Sequence, residues 1–411
     1  MRKKIFVRSP CLSQSGYGEQ SRFALRALKS REDLFDIYIQ PIPWGKTGWV
    51  WEESKFREWM DEKIAKTAIL AQQNQLQPDI SLQISIPNEF QKIAPVNIGY
   101  TAGIETTMVS PQWLPKGNEM DKVLVVSTHA KTTYESTMAN AKNQETGEVI
   151  EYKMTTPIEV VHEITPRCDP EPIETLSIET DFNFLMISQF GPRKNFQNSI
   201  QWWVEEFVDQ KVGLIVKTNL ASNCIMDFER TNGALKNLLA KYPDRKCKVY
   251  LLHGDLTAGQ MTWLYTHEKI KAMVNIAHGE GFGLPLFEAA REALPVITIG
   301  WGGQIDFLHY NGENLFQEVD YTLQPVQKEA VWPGVIEKES MWAFADQGSY
   351  KMALRKTKKK WKKAKDTAVK LQGLLNEKFN EERLFKGFID GVLGFDSDLM
   401  EKNESVVLEF D

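Results

Sequence analysis

The stretch His278-Gly-Glu-Gly-Phe-Gly-Leu-Pro-Leu-Phe-Glu-Ala-Ala-Arg-Glu-Ala-Leu-Pro-Val-Ile-Thr-Ile-Gly-Trp-Gly-Gly303 decides the reading of this chain. An apolar strand candidate, residues 272–277, runs straight into it, and three glycines follow within five residues: Gly279, Gly281 and Gly283. Glycines there let backbone N–H groups approach a ligand with no Cβ between them. Pro285 stands where the first turn of a helix should begin, a position at which its missing N–H costs nothing. The pattern predicts a helix over 285–293 and a buried strand over 295–299. A glycine-rich strand-to-helix turn gathers free N–H groups at the positive end of a helix dipole, which suits anionic or sugar groups. Two carboxylates frame the turn, Glu280 before the helix and Glu288 within it, with seven residues between them. A carboxylate accepts two hydroxyls at once, so this pair fits the vicinal diols of a sugar and a ribose better than it fits phosphate.

The string Glu280-Gly-Phe-Gly-Leu-Pro-Leu-Phe-Glu288-Ala, with Pro295-Val-Ile behind it, resembles the E-x7-E signature of GT-B glycosyltransferases of family 4. The resemblance implies an α/β protein of GT-B architecture, two Rossmann-like domains facing across a cleft. It also implies retaining transfer of a hexosyl or pentosyl group from a nucleoside-diphosphate sugar, UDP- or GDP-linked, to a hydroxyl acceptor, with no metal and no other cofactor. In that reading Glu280 holds a donor-sugar hydroxyl and Glu288 the ribose hydroxyls, while Gly281, Phe282, Gly283 and Leu284 orient the sugar through their amides. Alternatives stay open: transfer to hydroxymethylated bases of DNA, as in phage-type DNA modification, a nucleotide-sugar epimerase on the same fold, or a non-catalytic binding module.

At 411 residues the chain exceeds the size at which one core keeps growing, so two domains are expected. The division predicted is an acceptor-side domain over 1–165, a Pro- and Glu-rich linker over 166–180, a nucleotide-sugar-binding domain over 181–377, a helix over 378–395 crossing back to the first domain, and an acidic tail over 396–411. Hydrophobic content of 42% and charged content of 25% are those of a soluble globular protein. The sequence has no apolar run of transmembrane length and no signal-peptide pattern at its start, so a cytoplasmic protein is expected. Four scattered cysteines without C-x-x-C spacing argue against structural zinc and a disulfide framework. Trp44, Trp49, Trp51 and Trp59 crowd one segment, where they either pack or line a groove.

The first half opens with a strand candidate at 4–7, the loop Ser13-Gln-Ser-Gly-Tyr-Gly18, and a helix from Glu19. That order cradles phosphates in doubly wound domains, and the resemblance places Gly16 and Gly18 at the donor diphosphate. Further strands are expected at 79–86, 97–102 and 121–126, with a helix between Glu52 and Gln75. The block Tyr100-Thr…Glu105…Trp113…Asp121 is similar to one in some family-4 enzymes and makes Glu105 a candidate for the cleft, with His129 a second. Residues 160–164 stand where the family has a P-N-G-V-D turn, which this chain lacks.

The second half alternates strand and helix, the mark of a parallel sheet covered on both faces. Its first loop, Ser188-Gln-Phe-Gly-Pro-Arg-Lys-Asn195, matches the diphosphate-holding lysine of the family at Lys194. The family's arginine falls on Gln189, and Arg193 is the candidate substitute; Lys217, ending a later strand, is a further cation candidate. Residues 351–370 carry ten Lys or Arg and one Asp in a chain of net charge −6. Trp361, Ala364, Ala368 and Leu371 share one helical face there. The segment is therefore either a solvated helix packed on the second domain or a docking face for a polyanion, DNA or anionic lipid. Asp396-Ser-Asp398 has the D-x-D form of a GT-A metal motif but stands in the acidic tail, where it is read as chance.

Overall fold

The computed structural model describes residues 2–142 and 149–394. Asp396-Ser-Asp398 and the acidic tail lie outside the described residues.

Short apolar runs, buried on both faces, build two six-stranded parallel sheets. The first sheet is ordered Phe35–Pro41, Lys3–Ser9, Ile80–Ile84, Val96–Thr101, Lys122–Val125, Ile158–Val160. The second runs Lys248–Leu252, Gly213–Lys217, Asn183–Ile187, Ile270–Asn275, Val296–Ile299, Gln317–Val319. Each order reverses direction beside its first strand, and at such a switch point the loops leaving the carboxyl ends diverge and open a crevice. In the second sheet that crevice lies between the loop after Ile187 and the turn after Asn275. Two Rossmann-like units facing each other in this way make the GT-B architecture. Among the described residues no helix is long and apolar enough to cross a membrane.

The last helix, Glu381–Leu393, starts at Asn380, whose side chain accepts from the Arg383 N–H, and stops at Gly394 with φ 79°. Its apolar face lies on the first domain. The Phe388 ring sits 5.8 Å from Phe23 and 5.6 Å from Tyr100, and Lys122 Nζ donates to the Gly391 carbonyl at 3.0 Å.

Three features depart from what the sequence suggests. Phe35–Pro41 is a strand that no expectation covers, because Asp36 and Gln40 break its apolar run. It lies at the sheet edge, where Asp36 pairs with Lys66 of the Lys55–Gln72 helix at 2.9 Å. The basic segment is two helices, Gln347–Lys359 and Trp361–Lys378, broken at Lys360. Finally, an antiparallel pair, Tyr321–Pro325 with Met341–Ala345, follows the second sheet and carries a loop that reaches the first domain. There Glu337 accepts from Ser110 Oγ at 2.5 Å, and the Gly334 carbonyl accepts from Trp113 Nε1 at 2.9 Å.

Phe388→Ala is expected to cost about 3–5 kcal/mol, the range for an aromatic truncated inside a core. Urea denaturation checks it; a cost no greater than about 0.5 kcal/mol, as for an exposed substitution, would contradict the packing of this helix.

Candidate active site

The strand Asn183–Ile187 feeds the loop that carries Arg193 and Lys194, and Ile270–Asn275 feeds the glycine turn. Three bonds staple these loops together across the switch point. The His278 N–H donates to the Arg193 carbonyl at 2.8 Å, Asn195 Nδ2 donates to the Ile276 carbonyl at 3.2 Å, and Arg193 Nη1 donates to the Gly279 carbonyl at 2.9 Å. Asn195 turns the chain from loop to helix with φ 48°, a left-handed conformation that asparagine tolerates.

Lys194 Nζ stands 2.6 Å from both Oε1 and Oε2 of Glu280, and Asn275 Nδ2 donates to Glu280 Oε1 at 2.9 Å. Arg193 lies 3.5 Å from the same carboxylate and 3.0 Å from Glu105 Oε1, which comes from the first domain. Burial opposes ionisation of Glu280, but the Lys194 and Arg193 charges outweigh it and hold its carboxyl below the usual carboxylate range. Glu105, Arg193, Lys194 and Glu280 therefore form one charge-balanced cluster spanning both domains. Asn275 is the contributor the sequence reading passes over; its signal is a lone amide at the end of an apolar strand.

The glycines serve packing between domains as much as ligand approach. A Cβ on Gly279 would collide with the Glu105 carbonyl, and one on Gly281 would stand 2.8 Å from the Ala102 carbonyl. Gly283 caps the Leu284–Arg291 helix with φ 89°. Phe282 turns its ring inward, 5.1 Å from Phe307 and 5.7 Å from Phe287, so only its backbone is offered to a ligand. Leu284 is half-buried at the helix start.

Glu288 does not share the Lys194 cluster. Its Oε1 accepts from Thr165 Oγ1 and its Oε2 from the Tyr265 hydroxyl, both at 2.7 Å. Burial raises its carboxyl above the usual range, against the lowering effect of these two hydroxyls. Two hydroxyls on one carboxylate is the chemistry expected for a diol, supplied here by the protein.

In the first domain the two loop glycines divide. Gly18 donates its N–H to the capping Ser15 Oγ at 3.1 Å and abuts the Ser13 carbonyl, so its amide is already used. Gly16 is exposed with open space beside it. Tyr17 links this loop to the turn: its hydroxyl meets Thr101 Oγ1 at 2.8 Å and the Ala102 N–H at 3.3 Å, and the Ala102 carbonyl lies against Gly281. Lys217 donates to the Gly254 carbonyl at 2.7 Å, one strand away, and burial lowers it below the usual lysine range. His129 sits edge-on to Trp301 of the second domain with ring centroids 4.7 Å apart. Beside it Asp306 reaches across to accept from the Thr128 N–H at 2.7 Å and to meet His162 Nε2 at 2.9 Å.

The basic segment lies at the other end of the second sheet. Trp361 Nε1 donates to the Lys271 carbonyl and Lys365 Nζ to that of Ala293, both next to strand starts. Lys351 and Arg355 pair with Glu205 and Glu206, and Lys370 pairs with Glu313. Lys356, Lys359, Lys360, Lys362 and Lys363 are exposed and, among the described residues, have no carboxylate partner.

One buried carboxyl was not anticipated. Glu163, 4% exposed, follows the last strand of the first sheet, and among the described residues its Oε2 has no hydrogen-bond partner. Burial, with Glu19 adding and Arg26 opposing, pushes it well above the usual carboxylate range.

No protein-family model matches the chain, and no curated protein matches it by sequence. Solved structures do. Sucrose-phosphate synthase from Thermosynechococcus elongatus superposes with a TM-score of 0.62 at 14% identity, over 98% of this chain and 100% of that one. HepE from Anabaena, solved in complex with UDP-glucose, gives a TM-score of 0.58 at 12% identity over 96% and 100%. The α,α-trehalose 6-phosphate synthase from Burkholderia multivorans gives 0.56 at 8% identity over 98% and 100%. At these identities the likeness establishes the shared two-domain fold.

Glu163 holds its proton in the folded chain at pH values where the unfolded chain releases it. Its contribution to stability is therefore complete below the usual carboxylate range and falls as pH rises toward the folded value. Glu163→Gln is expected to gain stability relative to the parent progressively above about pH 4.5, read from thermal melts across pH. A difference independent of pH would contradict a neutral Glu163.

Proposed function

We propose that this chain transfers a sugar from a nucleoside-diphosphate sugar to a hydroxyl acceptor, and does so with retention of configuration as a family-4 type enzyme. The observation that carries the reading is the Lys194–Glu280 pair at the switch point, with Arg193 beside it and the glycine turn around it. Sugar-nucleotide chemistry needs a carboxylate for a sugar hydroxyl and cations for a diphosphate within one small space, and these residues supply both. The fold likeness to HepE, solved with UDP-glucose, supports the donor class; the donor base, UDP or GDP, is left to experiment.

Departure of the diphosphate leaves an oxocarbenium-like centre and places negative charge on the leaving oxygen. Lys194 and Arg193 stabilise that charge, and their preorganised electrostatics supply the largest share of catalysis. Before the donor binds, Glu280 and Glu105 balance both cations. On binding, the cations turn part of their hydrogen bonding to the diphosphate, and the Glu280 carboxylate is released toward a donor hydroxyl. Lys217 lies one strand further out and adds positive potential. Glu288 takes the ribose hydroxyls. The free backbone of Gly16 faces the donor, while Gly18 keeps the loop compact. The cations and amides do the charge neutralisation that a divalent ion does in other transferases, so EDTA is expected to leave turnover unchanged.

The placement of the basic helices argues against a polyanion as acceptor, because Trp361 and Lys365 anchor them beside strand starts, away from the cleft. A polyanion bound there tethers the chain without presenting an acceptor.

A mass-spectrometric screen of the purified chain against UDP- and GDP-sugars tests the reading: a transferred sugar supports it, whereas an altered free sugar would favour an epimerase and no consumption a binding module. Once a donor is found, Lys194→Ala is expected to lower kcat by about 10²–10³-fold, the scale of a lost transition-state charge contact, and Arg193→Ala by less. Steady-state kinetics with Arg193→Ala the more damaging would reverse the two roles.

A further inference from the structure

We propose that Trp44, Trp49 and Trp51 form a stacking platform that holds a neutral glycan as the acceptor; its role as acceptor rests on the sugar-transfer reading. The strand Phe35–Pro41 ends at the carboxyl edge of the first sheet, and these tryptophans follow at once. The segment is pinned against the glycine loop. The Gln14 N–H donates to the Gly48 carbonyl at 2.9 Å and the Val50 N–H to the Leu12 carbonyl at 2.8 Å, while Arg57 Nη1 donates to the Val50 carbonyl at 2.8 Å. Trp49 bridges to Ser13, so the backbone at Trp49 is extended. Trp51 stands two residues further on, and the two are 65% and 87% exposed. Trp59, by contrast, is 9% exposed and packs.

Trp44 joins this segment to the cleft. The Trp44 ring lies 4.4 Å from Tyr17, the residue whose hydroxyl meets the Ala102 N–H beside Gly281. Large flat rings presented at the sheet edge suit a ligand with an apolar face and polar rim. A pyranose has this form: its C–H face packs on the electron-rich indole, and its hydroxyls point outward. Charge selects among ligands that stack. The exposed charges around the rings, Lys46, Glu52, Glu53 and Lys55, balance, so a nucleic acid or other polyanion meets no net attraction there, while sugar hydroxyls meet carboxylate acceptors.

The test is binding of the full chain and its variants to an array of short neutral oligosaccharides, heparin and duplex DNA, at low and high salt, alongside calorimetry with UDP and GDP. The parent is expected to bind neutral oligosaccharides with no loss at high salt. Trp49→Ala and Trp51→Ala should each weaken this about tenfold or more, as truncated aromatic anchors do. Trp51→Phe should retain most of it, and every variant should keep the parent's nucleotide affinity. Binding to heparin or DNA alone, neutral-glycan binding untouched by the tryptophan changes, or no glycan binding would overturn the proposal. Glycan binding lost in the Ala variants of a parent that binds no nucleotide would uphold the platform and defeat the sugar-transfer reading instead.

Discussion

The ion pair between Lys194 and Glu280 is the contact on which the site depends, because it joins the two loops that diverge at the switch point of the second sheet. Taking both charges out of water is costly, and the Coulombic gain offsets that only with good geometry and further hydrogen bonds. Here the ammonium meets both carboxylate oxygens and Asn275 adds a third donor. Arg193 extends the cluster to Glu105, so the charges proposed to hold the donor also join the domains. A ligand that draws on Lys194 and Arg193 must therefore act on the domain interface as well as on the turn.

Close approach is the second constraint. Gly279 and Gly281 lie against the backbone of Glu105 and Ala102, and Gly303 lies against the Gly281 carbonyl. A side chain at any of them would push the domains apart or open the turn. The Gly303 N–H also donates to the Glu280 carbonyl at 2.8 Å, which fixes the backbone from which the Glu280 carboxylate projects. Glycine at these positions thus serves the architecture, and the ligand's access to free amides is one consequence of it.

The architecture was legible because its signals are local: apolar runs of strand length, glycine turns and a helix-starting Pro285 repeat along the chain. The family resemblance assigns Lys194 and Glu280 to one site but not to an ion pair, since the residues are far apart in sequence and meet through strand order. What the sequence hid has physical reasons. Phe35–Pro41 is an edge strand whose polar residues mask its pattern, and the break at Lys360 falls in a run of lysines that favours helix throughout. Glu288 illustrates a different limit: spacing puts it near Glu280, but Thr165 and Tyr265, both remote in sequence, decide what it bonds. Gly18 is similar, its amide taken by Ser15 within its own loop.

The central claim is that the crevice between residues 188–195 and 276–284 receives a nucleoside-diphosphate sugar. Hydrogen–deuterium exchange of the full chain with and without saturating UDP-glucose or GDP-mannose tests it without depending on the acceptor. Slowed exchange is expected in both of those loops, and around Gly16 as the facing loop engages. Protection confined to other regions, or none with either nucleotide sugar, would contradict the account.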